Sequence, residues 1–108
     1  MSVSGAKKRI DDAVQGWQDV AARPHRFGGT EYRFRRREIG HVHGDSLVDI
    51  PFPKKVRDGL VTAGRAEPHH ILPKSGWVSI YLTQPPDVDR AIDLLHLSYE
   101  MATQRNTG

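Results

Sequence analysis

Thr30-Glu31-Tyr32-Arg33-Phe34-Arg35-Arg36-Arg37-Glu38-Ile39-Gly40-His41-Val42-His43-Gly44-Asp45-Ser46-Leu47-Val48-Asp49-Ile50 reads as a run of antiparallel strands. Over Thr30–Arg35 the residues alternate. Tyr32 and Phe34 fall on one side and Glu31, Arg33 and Arg35 on the other, the period of a half-buried strand. A tight connection near Arg36 leads into a second strand over Arg37–His43. Gly44-Asp45 is a hairpin signal, and Leu47–Ile50 is the returning strand, stopped by Pro51 and Pro53.

Upstream, Ser4 to Trp17 has the spacing of a helix, with Ala6, Ile10, Ala13, Val14 and Trp17 in one stripe and Ser4 placed to cap its first turn. Asp19 to Phe27 reads as a further strand, confined to an edge by Pro24. Downstream, Pro53 suits the first turn of a short helix with Val56, Leu60 and Val61 as its apolar side and Gly64 just past its end. Glu67 to Gly76 reads as a loop. Trp77 to Thr83 is the last strand, with Trp77, Ser79, Tyr81 and Thr83 on one face. From Pro85 a long helix carries Val88, Ala91, Ile92, Leu95, Tyr99 and Ala102 in one stripe, and the tail after Gln104 is expected to fray. The order α-β-β-β-β-α-β-α predicts a single α+β domain over 1–108, with an ordered core over 4–104 and an antiparallel sheet of about five strands backed by helices.

With 108 residues the chain has room for one core. Hydrophobic residues at 37% are too many for a disordered chain. There is no cysteine, which excludes disulfides, thiolate zinc sites, iron–sulfur clusters and thiol nucleophiles. No apolar stretch reaches the length of a membrane helix and no signal-peptide core opens the chain, so a cytoplasmic protein without a membrane partner is expected. GxGxxG and GxxxxGK[ST] are both missing, against dinucleotide-fold or P-loop chemistry. Residues 1–57 carry 12 Lys/Arg against 7 Asp/Glu, and residues 58–108 carry 4 against 6, so positive charge gathers in the first half.

Arg37-Glu38-Ile39-Gly40-His41-Val42-His43-Gly44-Asp45 and Glu67-Pro68-His69-His70-Ile71-Leu72-Pro73-Lys74-Ser75-Gly76-Trp77-Val78, with Arg23-Pro24-His25-Arg26-Phe27-Gly28-Gly29 before them and Leu97-Ser98-Tyr99-Glu100 after, resemble the bacterial luciferase family, whose domain name is shared with the fungal luciferases. The likeness spans roughly residues 8–102. His70-Ile71-Leu72-Pro73-Lys74-Ser75-Gly76-Trp77 and Ser98-Tyr99-Glu100-Met101 also resemble, more loosely, the YjbR-like family, whose curved antiparallel sheet backed by helices agrees with the order above and some of whose members are proposed to bind DNA. The luciferase resemblance implies an oxygenase-like reaction of an electron-rich hydroxypyrone with dioxygen, without metal or flavin. Such a reaction needs a base active near neutrality and a dry aromatic-lined pocket.

Histidine carries the candidate site. His41 and His43, two apart on a strand, share a face, and His69 and His70 lie in the loop before Trp77. The expected site is a small-molecule pocket where that strand meets that loop, with His41, His43 and His70 as acid–base or hydrogen-bonding groups. Arg37 is its expected anion partner, His69 and Tyr81 further ligand contacts, and Trp77 its apolar wall. Ile39 shares the face of the pair on a regular strand, so two placements stay open: histidines at the rim of the packed side, or Val42 inward and the histidines toward water. No cofactor is expected. A metal is not expected either, and were one held, His41, His43 and His70 would hold it. His41-x-His43-x-Asp45 also occurs in metallo-hydrolases, but their layered fold needs about twice this length. A pocket of about 300 Å³ in so short a chain needs a sheet–loop crevice or the junction of a homodimer. The alternative is a nucleic-acid- or protein-binding module acting through Arg33, Arg35, Arg36 and Arg37, whose spacing along a strand matches neighbouring phosphates; the plainer reading of those arginines is a solvated edge.

Overall fold

The structure, a computed structural model, describes residues 1–26 and 28–107, with the side chains of 105–107 set aside. Nine elements follow one another among the described residues: α1 (Ala6–Val14), β1 (Val20–Pro24), β2 (Thr30–Phe34), β3 (Arg37–His43), β4 (Leu47–Pro51), α2 (Lys54–Thr62), β5 (Glu67–Pro68), β6 (Trp77–Tyr81) and α3 (Pro85–Thr107). The strands form one antiparallel sheet in the order β1-β2-β3-β4-β6-β5. The α+β class and the element order match the sequence reading. The strand count differs: there are six rather than about five, because Glu67-Pro68 leaves the expected loop to pair with Val78 and Ser79. A two-residue edge with a proline offers little for another chain to pair with.

Helix α3 lies across β2, β3, β4 and β6, α1 packs on α3, and α2 flanks β6 and β5. Val42, Val48 and Ile80 stand opposite one another in register. With Tyr32, Ile50 and Val78 they make the face beneath α3, against Ile10, Val14, Val88, Ala91 and Leu95. Each fully buried Val, Ile or Leu among them contributes about 1.5–3 kcal/mol. Gly40 permits the contact: a Cβ there would meet Leu95 Cδ2 at 2.4 Å. Beside it the pairing shifts, with Tyr32 opposite Gly40 and Arg33 opposite Glu38, so Ile39 is an extra residue in β3. That bulge resolves the ambiguity over the histidine face. Val42 packs inward, His41 and His43 point to the opposite side, and Ile39 is fully buried.

Helix α1 is shorter than read, Ala6–Val14, and its cap is not Ser4. Gly5 occupies the cap position without a side-chain bond, and Asp45 of the β3–β4 turn reaches across to accept from the Lys7 amide at 2.8 Å. Trp17 lies beyond the helix, half-buried against His96 and Tyr99. Strand β1 covers only part of the expected Asp19–Phe27, and Phe27 is outside the described residues. Helix α3 continues to Thr107; side-chain order beyond Gln104 falls outside the description.

Asp87 closes the start of α3. Its Oδ2 accepts from the amides of Thr83 and Gln84 and from the Thr83 hydroxyl, each at 2.9 Å. Its burial pushes the pKa up, but these bonds and Arg90 win and hold it down to about 2. A depressed carboxyl contributes stability that is present above the unfolded value of about 3.9 and lost as the pH falls through the folded one. Asp87→Ala is expected to cost about 1 kcal/mol at neutral pH in urea titrations. The difference from the parent should vanish toward pH 2, and a difference that persists there would refute the capping role.

Candidate functional site

The sheet face away from α3 carries a row of polar residues in direct register: Glu31 on β2, His41 on β3, Asp49 on β4, Ser79 on β6 and Glu67 on β5. Asp49, at the centre, is completely buried. A bare carboxylate there would be prohibitively unstable, so its neighbours decide its form. Oδ1 accepts from the Ser79 hydroxyl at 2.6 Å. Oδ2 is faced by four imidazole Nε2 atoms, of His41 at 3.1 Å, His70 at 3.2 Å, His43 at 3.3 Å and His69 at 3.5 Å. Burial pushes the Asp49 carboxyl up, yet His41, Ser79, His69 and His70 together hold it well below the usual carboxylate range.

His41 is bonded at both ends. Nε2 faces Asp49, and Nδ1 lies 2.7 Å from Glu38, which the bulge at Ile39 keeps on this side. Burial opposes charge on the ring, but the two carboxylates outweigh it and raise its pKa to about 9, so His41 is an imidazolium. The shift is downward for His43, through burial and the His41 charge, and downward for His69, through burial and the nearby His70 and His41. His69 also has a fixed tautomer. Its Nδ1 accepts from the backbone amides of Ile71 and Leu72 at 3.1 and 3.0 Å, which places its hydrogen on Nε2, toward Asp49.

A second layer lies outside this cluster. His25 stacks on His41 with ring centroids 4.0 Å apart, and its Nδ1 is 3.1 Å from Glu31, which also accepts from Arg33. Gly29, at φ 83°, lets its own backbone come close to β3: a Cβ would strike the Val42 carbonyl oxygen at 2.3 Å and the His43 ring at 3.3 Å. The 69–76 loop is tied down separately. Ser75 Oγ donates to the Leu72 carbonyl and accepts from the Trp77 amide, and Arg57 of α2 donates to the Pro73 carbonyl.

Between the loops lies a hollow of about 350 Å³, lined by His25, His41, His43, Asp49, His69, His70 and the apolar Ile71, Leu72 and Trp77. His41, His43, His69, His70 and Trp77 are thus brought together. Arg37 and Tyr81 are not. Arg37 is exposed at the start of β3, and Tyr81 lines a different hollow of about 600 Å³ beside α2 and α3, where Arg90 and Asp87 pair with each other. The larger space holds no convergent group of imidazoles, so chemistry favours the smaller one. Arg33 and Arg35 ring the β2–β3 turn, far along the hairpin from His43, and are engaged by Glu31 and Asp19.

Asp49, Glu38, Ser79, His25 and Glu31 were not among the candidates read from the sequence. Asp49 had a signal, a lone acid in the apolar strand Leu47–Ile50, and Ser79 shares the face of Trp77 by alternation. Asp45, which continues the His-x-His spacing, caps α1 instead. Removing Asp49 strips a buried imidazolium of its partner, so Asp49→Ala is expected to cost about 3–5 kcal/mol. Asp45→Ala should cost about 1 kcal/mol, the loss of a cap. Guanidinium unfolding of the two variants tests this assignment, and the reverse order would refute it.

No curated protein and no solved structure matches the chain, and the YjbR-like likeness has no match behind it. The family model described as the luciferase domain matches residues 36–98, more than half of the chain. That span takes in His41, His43, Asp49, His69, His70, Trp77 and Ser79, and leaves His25 and Glu31 before it. The chain belongs to the luciferase-domain family.

Proposed function

We propose that this domain binds a planar, acidic small molecule, one bearing an enol or phenol-like hydroxyl, in the hollow beneath the 69–76 loop, and that imidazole handles the hydroxyl proton. The observation that carries the reading is an apolar wall of Trp77, Ile71 and Leu72 standing over imidazoles that surround one buried carboxylate. About 350 Å³ is the low end of small-ligand sites and suits one or two rings. Asp49 accepting from His70 Nε2 leaves Nδ1 as that ring's basic atom, the arrangement in which a carboxylate orients a general base. His41, held as a cation between Asp49 and Glu38, supplies the positive charge that favours the ligand anion, and the half-exposed His43 is a hydrogen-bonding group at the rim.

Family membership adds an oxygenase-like reaction to the proposal. His70 takes the hydroxyl proton, and the resulting anion passes one electron to dioxygen. The radical and superoxide combine through a new C–O bond to a peroxide anion, which recovers the proton from His70. Ligand plus dioxygen gives ligand hydroperoxide, with atoms and electrons balanced.

The test is titration of the untagged protein with a hydroxypyrone, followed by tryptophan fluorescence, thermal unfolding and oxygen uptake. Saturable quenching is expected, with stabilisation of about 2.7 kcal/mol at a hundredfold excess over Kd. Trp77→Ala should weaken binding about tenfold. His70→Ala should keep binding and lose oxygen uptake by about a hundredfold or more. Failure of the parent to respond would overturn the pocket reading, and full oxygen uptake by His70→Ala would overturn the role of His70. Salt-sensitive binding of duplex DNA through Arg33 and Arg35, with no response to the pyrone, would put the arginine-rich turn in the pocket's place.

A further inference from the structure

We propose that the floor of the hollow is a site for a divalent transition-metal ion, with His41 Nε2, His43 Nε2 and Asp49 Oδ2 as its ligands. Asp49 Oδ2 is crowded. A carboxylate oxygen offers two in-plane lone pairs, yet Oδ2 of Asp49 is approached by four imidazole nitrogens at 3.1–3.5 Å. Hydrogen bonding has no use for so many donors on one acceptor. Atoms grouped around a cation have this spacing: bonds of about 2.1 Å hold neighbouring ligand atoms about 3.0 Å apart at right angles and about 3.4 Å apart at the tetrahedral angle. His41 Nε2 and His43 Nε2 stand 3.1 and 3.3 Å from Oδ2, and each of the three residues offers a ligand atom within 4.8 Å of the other two.

The surroundings are those of ligands already oriented. Glu38 faces His41 Nδ1, so a proton held there leaves Nε2 free to ligate, the carboxylate–histidine–metal arrangement. Ser79 holds Oδ1 of Asp49 and leaves Oδ2 as a single donor atom. The other two imidazoles do different work. His69 carries its hydrogen on Nε2, because Ile71 and Leu72 amides occupy Nδ1, so neither of its nitrogens is free to ligate, and at 3.5 Å it only faces Asp49. His70, on the exposed loop, keeps the proton-handling role. Two imidazoles and one carboxylate on one side leave further positions open toward the hollow, a set suited to iron(II), cobalt(II) or zinc and unlike the all-oxygen sites of magnesium and calcium.

This deepens the pocket reading, because the open positions would take the oxyanion of the ligand and the cation would replace the charge that His41 carries without it. The two can fail separately, since metal binding needs no organic ligand. The experiment strips the untagged 108-residue protein with chelator and titrates it with Co²⁺ alone and Zn²⁺ alone, reading the cobalt ligand-field absorption and the binding heat. One equivalent per chain is expected, without competition from Mg²⁺. His43→Ala and Asp49→Asn should each weaken binding by roughly a hundredfold or more, and Glu38→Gln by about tenfold. His96→Ala, on α3 and paired with Glu100, should leave binding unchanged. His43 is partly exposed, so its variant keeps the test open even if Asp49→Asn does not fold. No saturable binding, or binding indifferent to His43→Ala, would overturn the site. A hydroxypyrone response without metal binding would overturn this inference and leave the pocket; metal binding without that response would do the reverse.

Discussion

One fully buried carboxylate organises the polar face of this sheet. Asp49 sits in the middle of the sheet with no access to water, and every polar group around it is placed to keep it ionised. The requirement reaches into the fold. His41, Asp49 and Ser79 must stand side by side on β3, β4 and β6, and a slip of one residue in either pairing would turn Asp49 toward Leu95 and the helices. The register of three strands is therefore specified twice, by the apolar residues of one face and by the charge on the other.

The two faces divide the labour. Beneath α3, Val42, Val48, Ile50, Val78 and Ile80 pack without exposure and hold the sheet rigid. On the other side the same strands present groups whose protonation states differ because their contacts differ: His41 charged between two carboxylates, His69 neutral with its tautomer fixed by the backbone. Residues of one type, a few ångströms apart, are given different chemistry by what lies behind them. Rigid strands carry His41, His43 and Asp49, while loops carry His25, His69 and His70, so the centre of the cluster is fixed and its cover is added from either side.

Much of the fold was legible in the chain. Alternation over Thr30–Phe34, the Gly44-Asp45 turn and the stripe from Val88 to Ala102 each encode an element locally, and each is present. What failed locally was taken over by something remote. Ser4 does not cap α1 because Asp45 does, and Glu67-Pro68 looked like loop because its strand character comes wholly from its neighbour β6. The candidate site divided in the same way. Shared parity on a strand put His41 and His43 together, whereas Arg37 and Tyr81 were chosen for chemistry without any constraint on position, and both stand apart from the hollow.

Which residues can meet along one strand, and which face of each helix is buried, is written locally in the chain, since both follow from periods of two and of 3.6 residues. Long-range packing is what folds the 69–76 loop back over the β3–β4 hairpin, turns Glu38 toward His41 through the bulge at Ile39, and makes an acid with no marked motif the centre. Such meetings depend on β6 pairing with β4 across some thirty residues of intervening chain, and on the cost of leaving a buried charge alone. Neither leaves a local pattern to read.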